Sequence, residues 1–139
     1  MRKSGNRGHR PLTKTQLLPM PVHHARRLSL KHHLALACLA DGRGDVETLS
    51  TVSNVVELAH QLDTTGVEIF QIAEEALGAC IARAARTSAI TLTEAERNAI
   101  AIVLVHHDAQ LERVPIHRYL DALEQTAAYA RQLAVGKQA

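Results

Sequence analysis

The sequence predicts an all-α protein, an antiparallel bundle of about five helices with a flexible basic arm at its N-terminus. Three observations carry that reading. Apolar residues make up 46% of the chain, yet Ala, Leu, Val and Ile supply nearly all of them, with one Phe, two Tyr and no Trp. An aliphatic core of that kind favours helix-on-helix packing over a sandwich of strands. Apolar positions also recur at three- and four-residue spacing in successive segments, and Gly, Pro and small polar residues punctuate the chain between them. At 139 residues the chain is near the commonest size for one domain, and long enough to bury a core without metal or disulfide staples.

Taken in order, residues 1–20 scatter Gly, Pro, Ser and Asn through a basic background and hold too little apolar surface to offset the entropy of ordering. They are expected to form a flexible arm ahead of a single helical domain, residues 21–139. Leu17, Leu18, Pro19 and Met20 are the exception, a patch suited to docking on the body or on a partner. The first helix begins between Pro21 and Ser29, runs to Ala40 with Leu30, Leu34 and Cys38 on one face, and is terminated by Gly42. Asp45 caps a second helix whose stripe is Leu49, Val52, Val56, Ala59 and Leu62. After Thr64, Thr65 and Gly66 a third helix spans residues 67–86, with Phe70, Ala73, Leu77, Cys80, Ile81 and Ala84 inward.

Thr93 followed by Glu96 is a capping-box pattern opening the fourth helix. Ile100, Val103, His107 and Leu111 fall on one line of it, beside Ile102 and Leu104, and its low polarity predicts that it occupies the centre of the bundle. Val114 and Pro115 stop it. Pro115 starts the fifth helix, where Ile116, Leu120, Leu123, Ala127, Ala130 and Leu133 form the stripe and Gly136 marks the end.

A net charge of +2 conceals a division of the chain. Residues 1–33 hold eight Lys and Arg and no acid, whereas residues 34–139 hold eight Lys and Arg against fourteen Asp and Glu, a net charge of −6. An acidic body thus carries a basic segment, which points to nucleic acid, an acidic protein, a membrane surface or the body itself as what that segment meets. Cys38 and Cys80 are too few for a disulfide framework and read as reduced core thiols. Neither a membrane-length apolar run nor the apolar centre of a signal peptide is present, so a cytoplasmic protein is expected.

Nine histidines invite a metal reading, but the pairs His23–His24, His32–His33 and His106–His107 are adjacent and diverge on a helix. No HExxH spacing occurs, and no metal or cofactor is expected. The best candidate for acid–base or metal chemistry is His106, His107 and Asp108 with Glu112 and His117. Ser29, Ser50, Ser53, Ser88 and the cysteines lack a nucleophile signature, so an enzyme is not expected.

The basic segment is the main functional signal. Arg2, Lys3, Arg7, Arg10, Arg26, Arg27 and Lys31 are the residues expected to contact nucleic-acid phosphates, with Lys14 nearby. The segment has no aromatic residue to stack unpaired bases, so duplex suits it better than single strand. A base-reading helix-turn-helix over residues 34–62 is excluded, because its second helix carries Asp45, Glu47, Glu57 and Asp63 and no Lys or Arg. Small regulatory or accessory activity without catalysis follows as the expected function. The alternative is an inhibitor or adaptor that binds a host protein through its acidic helical body, and a homodimer is compatible with either.

Three strings carry a resemblance: Arg27-Leu28-Ser29-Leu30-Lys31-His32-His33-Leu34-Ala35-Leu36, Asn54-Val55-Val56-Glu57-Leu58-Ala59, and Thr93-Glu94-Ala95-Glu96-Arg97-Asn98-Ala99-Ile100 leading to Val105-His106-His107-Asp108-Ala109-Gln110-Leu111. Across residues 27–125 the chain resembles a family of small uncharacterised proteins of proteobacterial phages and mobile elements, some of them labelled Fis-type regulators. The resemblance implies a bacterial or phage cytosolic setting and a regulatory or accessory role. The chain departs from a Fis-type regulator in having no basic recognition helix near residue 139.

Overall fold

The computed structural model describes residues 11–63 and 65–138 and, in the last helix, the side chains as far as Leu133. Six helices form among the described residues: α1 (Lys14–Leu17), α2 (Val22–Ala40), α3 (Val46–Leu62), α4 (Val67–Thr87), α5 (Glu94–Arg113) and α6 (Ile116–Gln138). An isolated bridge between Pro19 and Pro115 is the sole extended pairing among them. The protein is all-α, and the five helices expected from Pro21 onward correspond to α2–α6. α6 continues through Gly136, which does not end it.

Local chemistry explains where the helices stop and start. At the end of α2, Arg43 N–H donates to the Cys38 carbonyl at 2.9 Å and Gly42 N–H to Leu39 at 3.2 Å, the paired bonds of a Schellman motif. Gly42 has φ +76, which a residue with a Cβ adopts only with strain. Two residues on, a Cβ at Gly44 would run into Leu39, so the chain can turn this tightly only with glycine there. The capping box expected at α5 is present: Glu96 N–H donates to Thr93 Oγ1 at 3.1 Å, and Thr93 N–H donates to Glu96 Oε1 at 2.9 Å. Glu96 also receives Arg83 Nη2 at 2.6 Å, which ties the cap to α4. Thr93→Ala removes one side of this box, and chemical denaturation should register a loss of about 1 kcal/mol.

α3 is the central helix, packing against α2, α4, α5 and α6. The expectation that α5 holds the centre is therefore corrected. α3 buries Val52, Val55, Val56, Leu58, Ala59 and Leu62, short or branched side chains over nearly half its circumference, and that lets four neighbours approach it. α5 buries the expected Ile100, Val103, Leu104, His107 and Leu111, but Ile102 and Val105 face solvent.

Two expected stripes are inverted. On α2, Leu30 and Leu34 are 58% and 55% exposed and Cys38 is exposed, while Ala25, His32, Leu36 and Leu39 turn inward. On α6, Leu120 and Leu123 face outward with Ala127, Ala130 and Leu133, and Ala122 and Thr126 are buried. On α6 the buried positions are the small Ala122 and Thr126, and on α2 Ala25 and His32 share the buried face with Leu36 and Leu39. Ala25, Ala122 and Thr126 let the helices sit close to their neighbours, where larger side chains would hold them apart. On α4, Phe70, Ala73, Leu77 and Cys80 are inward as expected, but Ile81 is exposed.

The segment assigned to the arm divides. Residues 1–10 lie outside the described residues. Residues 11–20 carry the single turn of α1, capped reciprocally by Thr13 and Gln16, and pack onto α6. Met20 is buried with Ala25 and Leu111, and the Leu18 carbonyl accepts the Ile116 N–H at 2.9 Å. That bond satisfies one of the backbone donors that the start of α6 leaves unpaired.

Candidate functional site

The cations singled out in the sequence are divided by what the structure describes. Arg2, Lys3, Arg7 and Arg10 lie outside the described residues. Arg26, Arg27 and Lys31 are exposed on α2, and none of them takes part in an ion pair or side-chain hydrogen bond among the described residues. His23, Arg27 and Lys31 follow one another at four-residue spacing and so share a ridge of the helix. There is no acid in the first turn. Cations near a helix N-terminus oppose its macrodipole, at a cost of about 0.3–1 kcal/mol each at the surface. Only His23 of this ridge lies in the first turn, so the positive charge of the ridge is that of Arg27 and Lys31 themselves.

Acidic neighbours confine this field. Arg26 shares a groove between α2 and α5 with Asp108 and Glu112, and Lys31 lines a shallow depression with Asp45 and Glu47. The positive surface is therefore a narrow strip along His23, Arg27 and Lys31. Its width suits a strand of phosphates better than a broad flat polyanion.

The histidine group proposed for chemistry is dispersed. His106 Nε2 lies 2.9 Å from Asp63 Oδ2 at the end of α3, Asp108 Oδ2 lies 2.9 Å from His33 Nε2 on α2, and His107 points into the core. Among the described residues no group of three or more His, Cys, Asp or Glu converges as metal ligands would. Ser29 lines the same groove as His33 and Asp108, one turn from the histidine. No Ser29–His33 hydrogen bond forms, and the backbone N–H groups here are committed to α2, so neither a paired nucleophile nor a backbone oxyanion donor is in place.

What the seam between α2 and α5 does contain is a buried polar chain. Gln110 Nε2 donates to the Ala59 carbonyl at 3.0 Å, which fixes its amide, so Oε1 accepts from His107 Nδ1 at 2.7 Å. That leaves His107 Nε2 as the bare nitrogen, buried and without a partner, with the His32 ring 5.6 Å away and its Nδ1 also unpartnered. Burial, reinforced by the neighbouring His107, lowers His32 to about 4. Burial likewise lowers His107, against the opposing pull of its bond to Gln110. Asp63 is held below the ordinary carboxylate range by the Thr65 hydroxyl and, further down, by His106.

His33, Asp63 and Gln110 carry no signal in the sequence, because each makes a hydrogen bond to a residue more than 40 positions away. Cys80 is buried as expected, whereas Cys38 faces solvent. No helix among the described residues is long and apolar enough to cross a membrane. The chain matches no family model, no curated protein and no solved structure.

Proposed function

We propose that this protein is a non-enzymatic regulatory or accessory protein that contacts duplex nucleic acid through phosphates, using the exposed ridge of α2 and the basic residues that precede Pro11. The observation that carries the reading is the unpaired Arg26, Arg27 and Lys31 exposed on the N-terminal half of α2, in a protein whose residues 34–139 are net acidic. Arg2, Lys3, Arg7 and Arg10 add four positive charges ahead of α2 in the sequence, each able to neutralise a phosphate. The acidic body keeps the rest of the surface off the polyanion and so orients the protein on it. Phosphate contacts position a protein without reading bases. Sequence preference is therefore weak in this account.

A truncation that stops at residue 27 would remove Met20 and Ala25 from the core, so the arm has to be tested by deleting residues 2–10. Alone, this deletion and the triple variant Arg26→Gln, Arg27→Gln, Lys31→Gln should each weaken binding to a labelled duplex at least roughly tenfold at low salt, with the thermal midpoint preserved. Full affinity in both variants would overturn the reading.

A further inference from the structure

α4 and α6 both pack on α3, and among the described residues no packing of comparable extent joins them to each other. Between them runs an open groove of about 350 Å³ with Val56 of α3 in its floor. Its walls are two matching helical ridges, residues 74, 77, 78 and 81 on α4 and residues 126, 129, 130 and 133 on α6. Each ridge follows i, i+3, i+4, i+7 spacing over two turns, roughly 10 Å of helix. A surface of that spacing on both sides is what a third helix meets when it packs into a bundle.

Three features show that the described residues leave the groove unfilled. Ile81, Tyr129 and Leu133 each leave about half of their surface in solvent. Thr126, 6% exposed, has a buried hydroxyl oxygen with no hydrogen-bond partner and lines the groove. Gly78 stands in the middle of α4, where a Cβ would meet nothing within 4 Å. A helix-interior glycine costs about 0.5–1 kcal/mol relative to alanine, and no contact among the described residues accounts for it.

The groove also selects by charge. Among the described residues its charged lining consists of Glu57, which accepts from Gln61 Nε2 at 2.8 Å, and Glu74, which lies 3.3 Å from His60 Nδ1. Beyond them lies a second depression formed by the same two glutamates with His60, Gln61 and Tyr129. We propose that this groove docks one basic amphipathic helix of a partner protein, its apolar stripe on Leu77, Ile81 and Leu133 and its Lys or Arg side chains against Glu57 and Glu74. Gly78 admits the incoming backbone and the Thr126 hydroxyl bonds a polar group on it. The docking face is distinct from the α2 ridge, so the two contacts stand or fall separately.

The test uses the full chain and a fluorescein-labelled synthetic helix with Leu and Ala at i, i+3, i+4 and i+7 and Lys on its flanks, beside a twin with Glu for every Lys. The Lys peptide should bind with a Kd of about 10–100 µM and the Glu twin roughly tenfold or more weakly. Gly78→Leu places a side chain in open space, so it should leave the helical circular dichroism and thermal midpoint intact and abolish binding. Glu57→Lys with Glu74→Lys should reverse the preference between the twins. Absence of binding by the Lys peptide at about 1 mM, equal binding of the twins, or binding untouched by Gly78→Leu would overturn the proposal. So would a sedimentation dimer of the free protein that Gly78→Leu splits, because the groove would then belong to a second copy.

Discussion

Replacing Gln110 with Leu is expected to lower the stability of the fold by about 3 kcal/mol. The substitution keeps roughly the same volume, so a cavity is not the cause. Gln110 is fully buried and bridges two groups: its Nε2 donates to the Ala59 carbonyl and its Oε1 accepts from His107 Nδ1. The Ala59 carbonyl is one of the last four of α3, which have no partner within their own helix. Arg118 does the same for the Leu62 carbonyl at 3.1 Å, so α5 and α6 together close the end of the central helix. With Leu at position 110, a carbonyl and an imidazole N–H would be left buried and unpaired, each costing about 1–3 kcal/mol. Urea denaturation should show a lower midpoint at an unchanged slope. Adding His107→Leu should cost less than the sum of the two single changes, because the second change removes the orphaned donor.

Acid should destabilise the protein well before its carboxylates protonate. His32 is lowered to about 4 and His107 is lowered too, both chiefly by burial. In the unfolded chain a histidine takes up its proton near 6.5, so between about pH 6.5 and 4 the unfolded state binds more protons than the folded one. Stability therefore falls as pH falls through that window. His32 alone should contribute a loss of roughly 2 kcal/mol by its lower end, allowing for some screening by solvent. Thermal midpoints measured from pH 7.5 to 4 should show the decline, and His32→Leu should flatten it. A flat profile in the unmodified protein would contradict the burial of these two rings as uncharged imidazoles.

Where one face of a helix is apolar and the other is not, the sequence located the core correctly. α3 and α4 illustrate this: Val52, Val56, Ala59 and Leu62, then Phe70, Ala73, Leu77 and Cys80, were legible from spacing alone and are buried. α2 and α6 are apolar on two faces. On α2 the line through Leu30, Leu34 and Cys38 competes with one through Ala25, His32, Leu36 and Leu39, and side-chain size favoured the wrong line. Interhelical distance decided otherwise, because Ala25, Ala122 and Thr126 are small enough to sit at close contacts. Periodicity alone does not report that distance.

The candidate sites were legible to a different degree. Arg26, Arg27 and Lys31 could be found because exposed charge leaves a compositional trace. The pairings His33–Asp108 and His106–Asp63 could not, since they join residues 75 and 43 positions apart. The α4–α6 groove is likewise invisible in one dimension, because its walls come from helices far apart in the chain.

The most direct test of the phosphate reading is the salt dependence of binding to a duplex of about 30 base pairs, taken from 50 to 200 mM salt as log Kobs against log salt. The unmodified protein should give a straight line of negative slope, and the Arg26→Gln, Arg27→Gln, Lys31→Gln variant a slope shallower by about 2–3, one phosphate contact being worth about 0.9. An absence of binding at 50 mM salt, or a slope that the three substitutions leave unchanged, would contradict the account.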